Sequence, residues 1–243
     1  MAYPTGFYWL IPPTATRSGL AGMARPSARE IARLPGQGIS LLVSMLNYAT
    51  LDGNTPLSLR AIHLPVSNND VPTTSALPQI AVACAVMHRW RLANEPLNSV
   101  AVHCLLGQGR TGMMLACYQG YLLTRHPEDA DALAPEDTAM EVGRLLRDLH
   151  EERGLGPTAQ QVRFAQQFTS WLGTVPGIDF DAQGTQELQW RREQDALSAD
   201  ALSGGVQGRT LWQCFNPDCR QWASHSGGSA APQWCLSCGQ STR

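Results

Sequence analysis

The chain has no long hydrophobic run and almost no excess charge of either sign, and both absences exclude classes of protein. It carries 18 Lys and Arg residues against 20 Asp and Glu residues, a formal net charge of −2 at pH 7. This balance argues against binding to nucleic acid or membranes by bulk electrostatics. No apolar stretch reaches the length of a membrane span, and the N-terminal residues lack the charged start of a secretory signal. We therefore expect a cytoplasmic chain with no membrane partner.

Cysteine is sparse and its number is odd, which argues against a disulfide framework. In a reducing compartment, the seven cysteines are expected to be thiols and metal ligands. Cys84 and Cys117 lie on apolar faces of predicted helices, and we expect both in the core. Apolar residues make up 43 % of the 243 residues, which is enough for a packed core.

Short apolar runs alternate with helical patterns along most of the chain. This order predicts an α/β domain in which helices flank a central, mostly parallel sheet. Strands are predicted over residues 38–46, 59–65 and 99–103. Helices are predicted over residues 74–95, 111–124, 136–152 and 158–173.

Helix ends and domain boundaries follow from capping residues and from composition. Thr74 or Ser75 is expected to cap the first helix, and Gly154 is expected to end the third. The predicted domain occupies residues 1–173. A polar, glycine-rich linker with one weak helical pattern follows over residues 174–210.

The segment SVAVHCLLGQGRTGMMLACYQG, residues 99–120, joins a buried strand to a helix through a glycine-rich loop. Backbone N–H groups and the helix dipole converge on an anion at such a junction. GQGRTG, residues 107–112, also matches the dinucleotide fingerprint, but no second strand ending in an acid follows at the required spacing. A Walker-type loop needs Lys before the hydroxyl residue, whereas Arg110 precedes Thr111 here.

Cys104 and Arg110 begin and end this loop, which predicts phosphate chemistry at a thiolate. The Arg110 guanidinium can grip two phosphate oxygens in a planar fork. A helix N-terminus beside a guanidinium should lower the pKa of Cys104 and leave its sulfur in line with phosphorus. His103 can fix the loop, and Thr111 can donate its hydroxyl to the sulfur. The expected phosphate-binding residues are Leu105, Leu106, Gly107, Gln108, Gly109 and Arg110.

The pattern His-Cys-x5-Arg-Thr in HCLLGQGRTG resembles the signature of the cysteine-dependent protein tyrosine phosphatases. FYWLIP, GISLLVSML and RTGMMLACY are also similar to the atypical dual-specificity members, so the resemblance covers roughly residues 5–172. It implies a tyrosine-phosphatase-like fold. It also implies hydrolysis of a phosphate monoester, on Tyr or Ser/Thr of a protein, through a cysteinyl-phosphate. Uncharged Leu105, Leu106 and Gln108 favour a singly phosphorylated group over a polyanion.

The resemblance does not identify which residue acts as the general acid. The family supplies an Asp from a loop after a strand, and the matching text here is HLPVSNNDVPT, residues 63–73. Asn68 stands at the expected position, and Asp70 follows two residues later. Either Asp70 donates the proton, or the acid is absent and Asp70 is a turn residue. The family also places the hydrolytic water with a Gln that begins a late helix, which implies this role for Gln161.

Two other functions stay open at this point. With Asn68 in place of the acid, the domain could bind phosphate without efficient turnover, as a pseudophosphatase. An RNA or nucleotide 5′-phosphatase is the third possibility. The basic tail residues Arg209, Arg220 and Arg243 favour it, and the near-neutral charge of the chain counts against it.

Four cysteines lie close together in the tail, residues 211–243, with the spacing C-x4-C-x15-C-x2-C. Four thiolates in two pairs can form a tetrahedral zinc site, and a tail this short needs the metal for its folding energy. The segment resembles a zinc ribbon that would bind a protein or nucleic-acid partner; catalysis needs no cofactor. Two disulfides, a redox pair, or His225 in place of one cysteine are the alternatives. The predicted zinc ligands are Cys214, Cys219, Cys235 and Cys238.

Overall fold

A five-stranded mixed sheet organises the main domain in the computed structural model of the chain. The strands are β1 (Tyr8–Ile11), β2 (Leu20–Met23), β3 (Ile39–Ser44), β4 (Arg60–His63) and β5 (Ser99–His103). Their order in the sheet is β1-β2-β5-β3-β4. Only β1 runs antiparallel to its neighbour; the pairs β2–β5, β3–β5 and β3–β4 are parallel. The structure describes residues 3–15, 17–46, 59–68, 70–93, 98–129, 157–175, 178–186, 209–213 and 222–226.

Four α-helices with defined bounds accompany the sheet within these described ranges. They are α1 (Ala28–Ile31), α2 (Leu77–Leu92), α3 (Gly109–Arg125) and α4 (Ala159–Thr174). Residues 180–186 are also helical, and 3₁₀ turns cover Pro35–Gln37, Thr74–Ala76 and Pro127–Asp129. None of the helices in the described part of the chain is long and apolar enough to cross a membrane. The predicted helix over 136–152 and its end at Gly154 lie outside the described residues.

The predicted strands and the other three predicted helices are confirmed within a few residues, but the predicted helix cap is wrong. Thr74 and Ser75 belong to a 3₁₀ turn, and the Thr73 and Ser75 hydroxyls bond each other at 2.8 Å. Helix α2 therefore begins after Ala76, which offers no side-chain cap.

Alternate residues of the central strands enter cores on opposite faces of the sheet. Val100 and Val102 of β5 join the larger core with the apolar faces of α2, α3 and α4, whereas Ala101 joins a smaller core with Ile31 of α1. Because both faces are covered, the strands are continuous apolar runs rather than alternating ones. Cys84 and Cys117 are fully buried in the larger core, which confirms the prediction for both.

The larger core extends beyond residue 173, where the sequence predicted its end. Phe180 is 3 % exposed and packs with Trp171 at a ring-centroid distance of 5.8 Å. Arg125 donates from Nη2 to the Val175 carbonyl at 2.9 Å. Residues 178–186 therefore pack with this domain, although they fall in the predicted linker.

A second, two-stranded sheet lies in the tail. Strands β6 (Arg209–Gln213) and β7 (Trp222–Ser226) are antiparallel, with Gln213 opposite Trp222. Cys214 and Cys219 lie between these strands in sequence. All four predicted zinc ligands lie outside the described residues.

Candidate active site

The loop between β5 and α3 lies where three parallel strands end together. β5 ends at His103 and α3 begins at Gly109, while the flanking strands β2 and β3 run parallel to β5. The Arg25 N–H, just after β2, donates to the Leu105 carbonyl at 3.1 Å. Ligands of parallel sheets bind at this carboxyl edge, in crevices between strand ends. We call residues 104–110 the phosphate loop.

Gly107 sets the shape of the phosphate loop. Its φ is +76°, in the left-handed region that favours glycine. A Cβ there would lie 2.4 Å from the carbonyl carbon of Met23, so no side chain fits. This close approach turns the Gly107 N–H toward the sulfur of Cys104, 3.3 Å away.

The Cys104 sulfur is buried and hydrogen-bonded, and the residue is only 3 % exposed. Burial raises the pKa of its thiol, but the Thr111 hydroxyl and three backbone N–H groups beside the sulfur lower it more. These N–H groups belong to Thr111, Gln108 and Gly107. The net effect is a pKa below the ordinary value, whereas burial raises the pKa of Cys117 and, together with the nearby Cys117 thiol, that of Cys84. Of the three cysteines in the described ranges, Cys104 is the one whose surroundings favour the thiolate, which is the nucleophilic form of a cysteine.

Arg110 is held by the ends of β3 and β4. Its Nη1 donates to the Val66 carbonyl at 2.7 Å and to the Met45 carbonyl at 3.5 Å. Its Nη2 donates to Oδ1 of Asn68 at 3.3 Å. No hydrogen bond of its Nε–H is found among the described residues. The Nε–H and one Nη–H of a guanidinium have the two-donor spacing that matches two phosphate oxygens.

His103 fixes the first peptide of the phosphate loop. Its Nδ1–H donates to the Cys104 carbonyl at 3.3 Å. Burial is the main reason that the pKa of His103 is lowered to about 4, so the ring is neutral at pH 7. A neutral ring bonded to a backbone carbonyl orients the loop rather than exchanging protons with substrate.

Gln161 connects the phosphate loop to the segment that carries Asp70. Its Nε2 donates to the Asp70 carbonyl at 3.2 Å, and its Oε1 accepts from the Thr158 N–H at 3.0 Å. The same Oε1 would lie 2.8 Å from a Cβ at Gly109, so the amide sits directly against the loop. Gln161 is 1 % exposed, while neighbouring Gln160 is exposed.

The Asp70 side chain lies at the surface of this site. One carboxylate oxygen accepts from the Val71 N–H at 2.8 Å, and the residue is exposed. The structure thus brings the segments of Asp70 and Asn68, Gln161 and the phosphate loop to one place. Asn68 contacts Arg110, and the carboxylate of Asp70 is left facing solvent.

The remaining residues of the phosphate loop contribute an uncharged rim. Leu105 and Leu106 are 44 % and 63 % exposed, and Gln108 is the residue before the first turn of α3. Apart from Arg110, the loop itself carries no cation.

One polar cluster in the structure was not predicted from the sequence. His88, His126 and Asp129 converge at the far end of α3. The pattern His-x-x-Asp at 126–129, directly after a predicted helix, is the only sequence signal for it, and His88 lies far away along the chain.

The sheet, the helices and the phosphate loop together define a phosphatase domain of the dual-specificity, protein tyrosine phosphatase type. Residues 4–160 match the family model described as PTP-SAK, the DSP-PTPase phosphatase domain of Swiss Army Knife proteins. The chain belongs to this family.

Individual proteins with similar sequences or structures share low identity with this chain or match only a short part of it. The Yvh1 phosphatase domain of Chaetomium thermophilum is 19 % identical with a TM-score of 0.46, over 68 % of this chain and 100 % of that one. Human DUSP28 is 17 % identical with a TM-score of 0.44, over 67 % and 97 %. Arabidopsis thaliana PTEN1, named a phosphatidylinositol 3,4,5-trisphosphate 3-phosphatase and protein-tyrosine-phosphatase, is 39 % identical over 62 residues. The match spans 26 % of this chain and only 14 % of that protein.

Proposed function

We propose that this chain hydrolyses phosphate monoesters of phosphorylated proteins, on Tyr or Ser/Thr, through a cysteinyl-phosphate at Cys104. The observation that carries the proposal is that two chemical groups, a thiol and a guanidinium, occur together in the phosphate loop. A buried thiol with a lowered pKa begins the loop, and a guanidinium whose Nε–H has no partner among the described residues ends it. Neither a structural cysteine nor a dinucleotide site requires both groups.

The first chemical step transfers the phosphoryl group to sulfur. The loop N–H groups and the Arg110 guanidinium bind the three non-bridging oxygens. The Cys104 thiolate attacks phosphorus, an S–P bond forms, and the bond from phosphorus to the leaving oxygen breaks. Protonated Asp70 gives its proton to that oxygen, because an alkoxide or phenoxide is a poor leaving group without one.

The second step hydrolyses the intermediate. Gln161 orients a water molecule that attacks phosphorus, and the Asp70 carboxylate takes up the water's proton. The S–P bond breaks, inorganic phosphate leaves, and the thiolate returns with the Thr111 hydroxyl donating to it. The position of Gln161 between Gly109 and the Asp70 carbonyl supports this role.

A pseudophosphatase is the second candidate, and Asn68 is the observation that favours it. Asn68 stands where the family places its acid, and it contacts Arg110 instead of facing a leaving group. Such a domain would bind the phosphate group without efficient turnover, because the leaving oxygen would lack a proton donor. Exposed Asp70, two residues further on, supports the enzyme over the binding module.

The exposed, uncharged residues of the phosphate loop favour a protein as the substrate. Exposed Leu105 and Leu106 offer apolar surface beside the phosphate, which suits a peptide side chain. A phosphoinositide with several phosphates needs more cations than the single one that the phosphate loop itself contains, so the name of the plant relative does not carry over to this loop. A cytoplasmic location fits these reduced thiols.

The experiment that tests this function is a substrate panel on the full-length chain. Wild type and Cys104→Ser are compared on an aryl phosphate, phosphotyrosine and phosphoserine peptides, phosphoinositides and 5′-triphosphate RNA. We expect turnover of the aryl phosphate and phosphopeptides, lost in Cys104→Ser. Arg110→Lys should fail as well, whereas Arg125→Lys at the other end of α3 serves as its matched control. Vanadate binding without turnover of any substrate would favour the pseudophosphatase.

We also propose that Cys214, Cys219, Cys235 and Cys238 bind one zinc ion in a tail module that recruits a protein or nucleic-acid partner. The cysteine spacing supports it, as do the antiparallel strands β6 and β7 that flank the first pair in sequence. In the full chain, Cys238→Ser should weaken the thiolate-to-cobalt charge-transfer band on Co²⁺ substitution, because one of the four thiolates is lost. Ser237→Ala is the control. The same band in both variants would contradict the site.

A further inference from the structure

Three residues with metal-binding side chains converge at the C-terminal end of α3. His88 comes from α2, His126 directly follows α3, and Asp129 belongs to the 3₁₀ turn Pro127–Asp129. One ligand atom from each lies within 4.8 Å of the others. Because α3 has 17 residues, this distal cluster is about 25 Å from the phosphate loop and takes no part in its chemistry.

The second observation is the state of His88. The residue is 2 % exposed, and neither ring nitrogen has a hydrogen-bond partner among the described residues. Its Nε2 lies 3.5 Å from Oδ2 of Asp129, a close approach without hydrogen-bond geometry. A buried polar group without a hydrogen bond is costly, so a ring nitrogen that faces a carboxylate in this way is suited to binding a metal ion.

His126 is oriented by a second carboxylate. Its Nε2 lies 2.9 Å from Oδ2 of Asp181, which leaves Nδ1 for another partner. Metal-binding histidines are commonly held through their other ring nitrogen in this way. The rings of His88 and His126 are adjacent, with centroids 4.2 Å apart.

The charged neighbours leave the cluster open to an ion from solvent. Oδ1 of Asp129 lies 3.8 Å from exposed Arg17, so Oδ2 is the oxygen directed at His88. Exposed Glu128 lies 3.6 Å from Nδ1 of His126 and adds negative charge at the entrance. The side chains of His126 and Asp129 are 16 % and 26 % exposed, which provides an entry path.

We propose that His88, His126 and Asp129 bind one divalent transition-metal ion, with Asp181 as the positioning residue of His126. Two imidazoles and one carboxylate suit zinc and similar ions, with water in the fourth position. The ion would tie α2 to the end of α3, so its role is structural. This inference is independent of the proposed phosphatase activity and of the zinc tail.

The test is metal binding by the full-length chain, with zinc and cobalt as probes. Zinc per chain is measured after dialysis, and Co²⁺ binding is followed through its d–d absorption. Asp129→Asn should lose one ion per chain relative to wild type, and His126→Gln should do the same. Asp181→Asn should weaken Co²⁺ binding about 10- to 100-fold. His63→Gln, which replaces a histidine outside the distal cluster, should match wild type.

Two measurements distinguish the distal cluster from the other two sites. The thiolate-to-cobalt band of the tail should be the same in every variant, because no thiol is in the distal cluster. Turnover at Cys104 should also be unchanged in Asp129→Asn. The inference is overturned if Asp129→Asn and His126→Gln, both folded by circular dichroism, bind as many ions as wild type with equal affinity.

Discussion

The Oδ1 atom of Asn68 lies 3.3 Å from Nη2 of Arg110, and this contact ties the loop after β4 to the phosphate loop. An amide at this point accepts a hydrogen bond without neutralising the guanidinium. The full positive charge of Arg110 therefore remains available to a phosphate. A carboxylate in the same place would form an ion pair with Arg110 and compete with that phosphate.

This contact predicts the effect of Asn68→Asp. Arg110 would hold the pKa of the introduced carboxyl low, so it would be a poor proton donor. We expect vanadate binding to weaken about tenfold, or about 1.4 kcal/mol, and turnover of an alkyl phosphate not to rise. Inhibition constants measure the first effect. Asn68→Ala, which removes the hydrogen bond without adding charge, is the control. Faster turnover in Asn68→Asp would mean that a missing acid had been restored.

Asp70→Asn tests the general acid. The amide oxygen can still accept from the Val71 N–H, so the turn should persist while the acidic proton is lost. Cleavage of a poor leaving group should slow about 10²- to 10⁴-fold, and cleavage of a good one much less. Steady-state rates on an alkyl and a nitroaryl phosphate measure the difference. Ser67→Ala is the control in the same loop, and equal effects on both substrates would make Asp70 a turn residue only.

Thr111→Val tests how the thiolate is stabilised. The Thr111 hydroxyl is the largest of the effects that lower the pKa of Cys104, so its removal should raise that pKa. Thiolate exists above the pKa, and the midpoint of the alkylation rate against pH should therefore move to higher pH. Site-specific alkylation by iodoacetamide, read by mass spectrometry, measures it.

The matched control for this substitution lies on the same helix. Thr124 also donates its hydroxyl within α3, to the Gly120 carbonyl at 2.7 Å. Thr124→Val should leave the midpoint unchanged. A midpoint that is the same in wild type and Thr111→Val would show that the hydroxyl does not stabilise the Cys104 thiolate.

Gly107→Ala tests the backbone of the phosphate loop. The Cβ would meet Met23 at 2.4 Å in a left-handed conformation, so the loop must move or strain. We expect the free energy of unfolding to fall by about 1–3 kcal/mol or more, and vanadate binding to be lost. Urea denaturation and vanadate titration are the measurements. Gly36→Ala, with nothing within 4 Å of its Cβ, should be close to neutral; equal effects of both changes would contradict the steric argument.

The sequence predicted the centre of the fold well and its margins poorly. Strand β5, the phosphate loop and helix α3 were predictable, because a buried strand, three glycines and a helical pattern follow one another directly. Strands β1 and β2 were not predicted: neither alternates between buried and exposed positions, and the Ala and Gly of β2 weaken its apolar pattern. The end of the core at Phe180 was missed because a single aromatic residue in a polar segment carries no pattern.

Within the site, residue types were predictable and contacts between distant segments were not. The sequence identified Asn68 as a replaced acid, but only the fold brings its amide to Arg110, 42 residues away. Gln161 was expected near a water molecule, and its bond to the Asp70 carbonyl depends on how α4 packs. The distal cluster of His88, His126 and Asp129 needs two helices to meet, which no local pattern encodes.

Rapid acid-quench mass spectrometry of the full-length chain, during turnover of a nitroaryl phosphate, detects a cysteinyl-phosphate directly. We predict one phosphoryl group per chain, attached to the peptide that contains Cys104, appearing with the first release of nitrophenol. Cys104→Ser should retain vanadate binding and form no such adduct at Cys104. Undiminished turnover by Cys104→Ser would contradict a cysteinyl-phosphate mechanism.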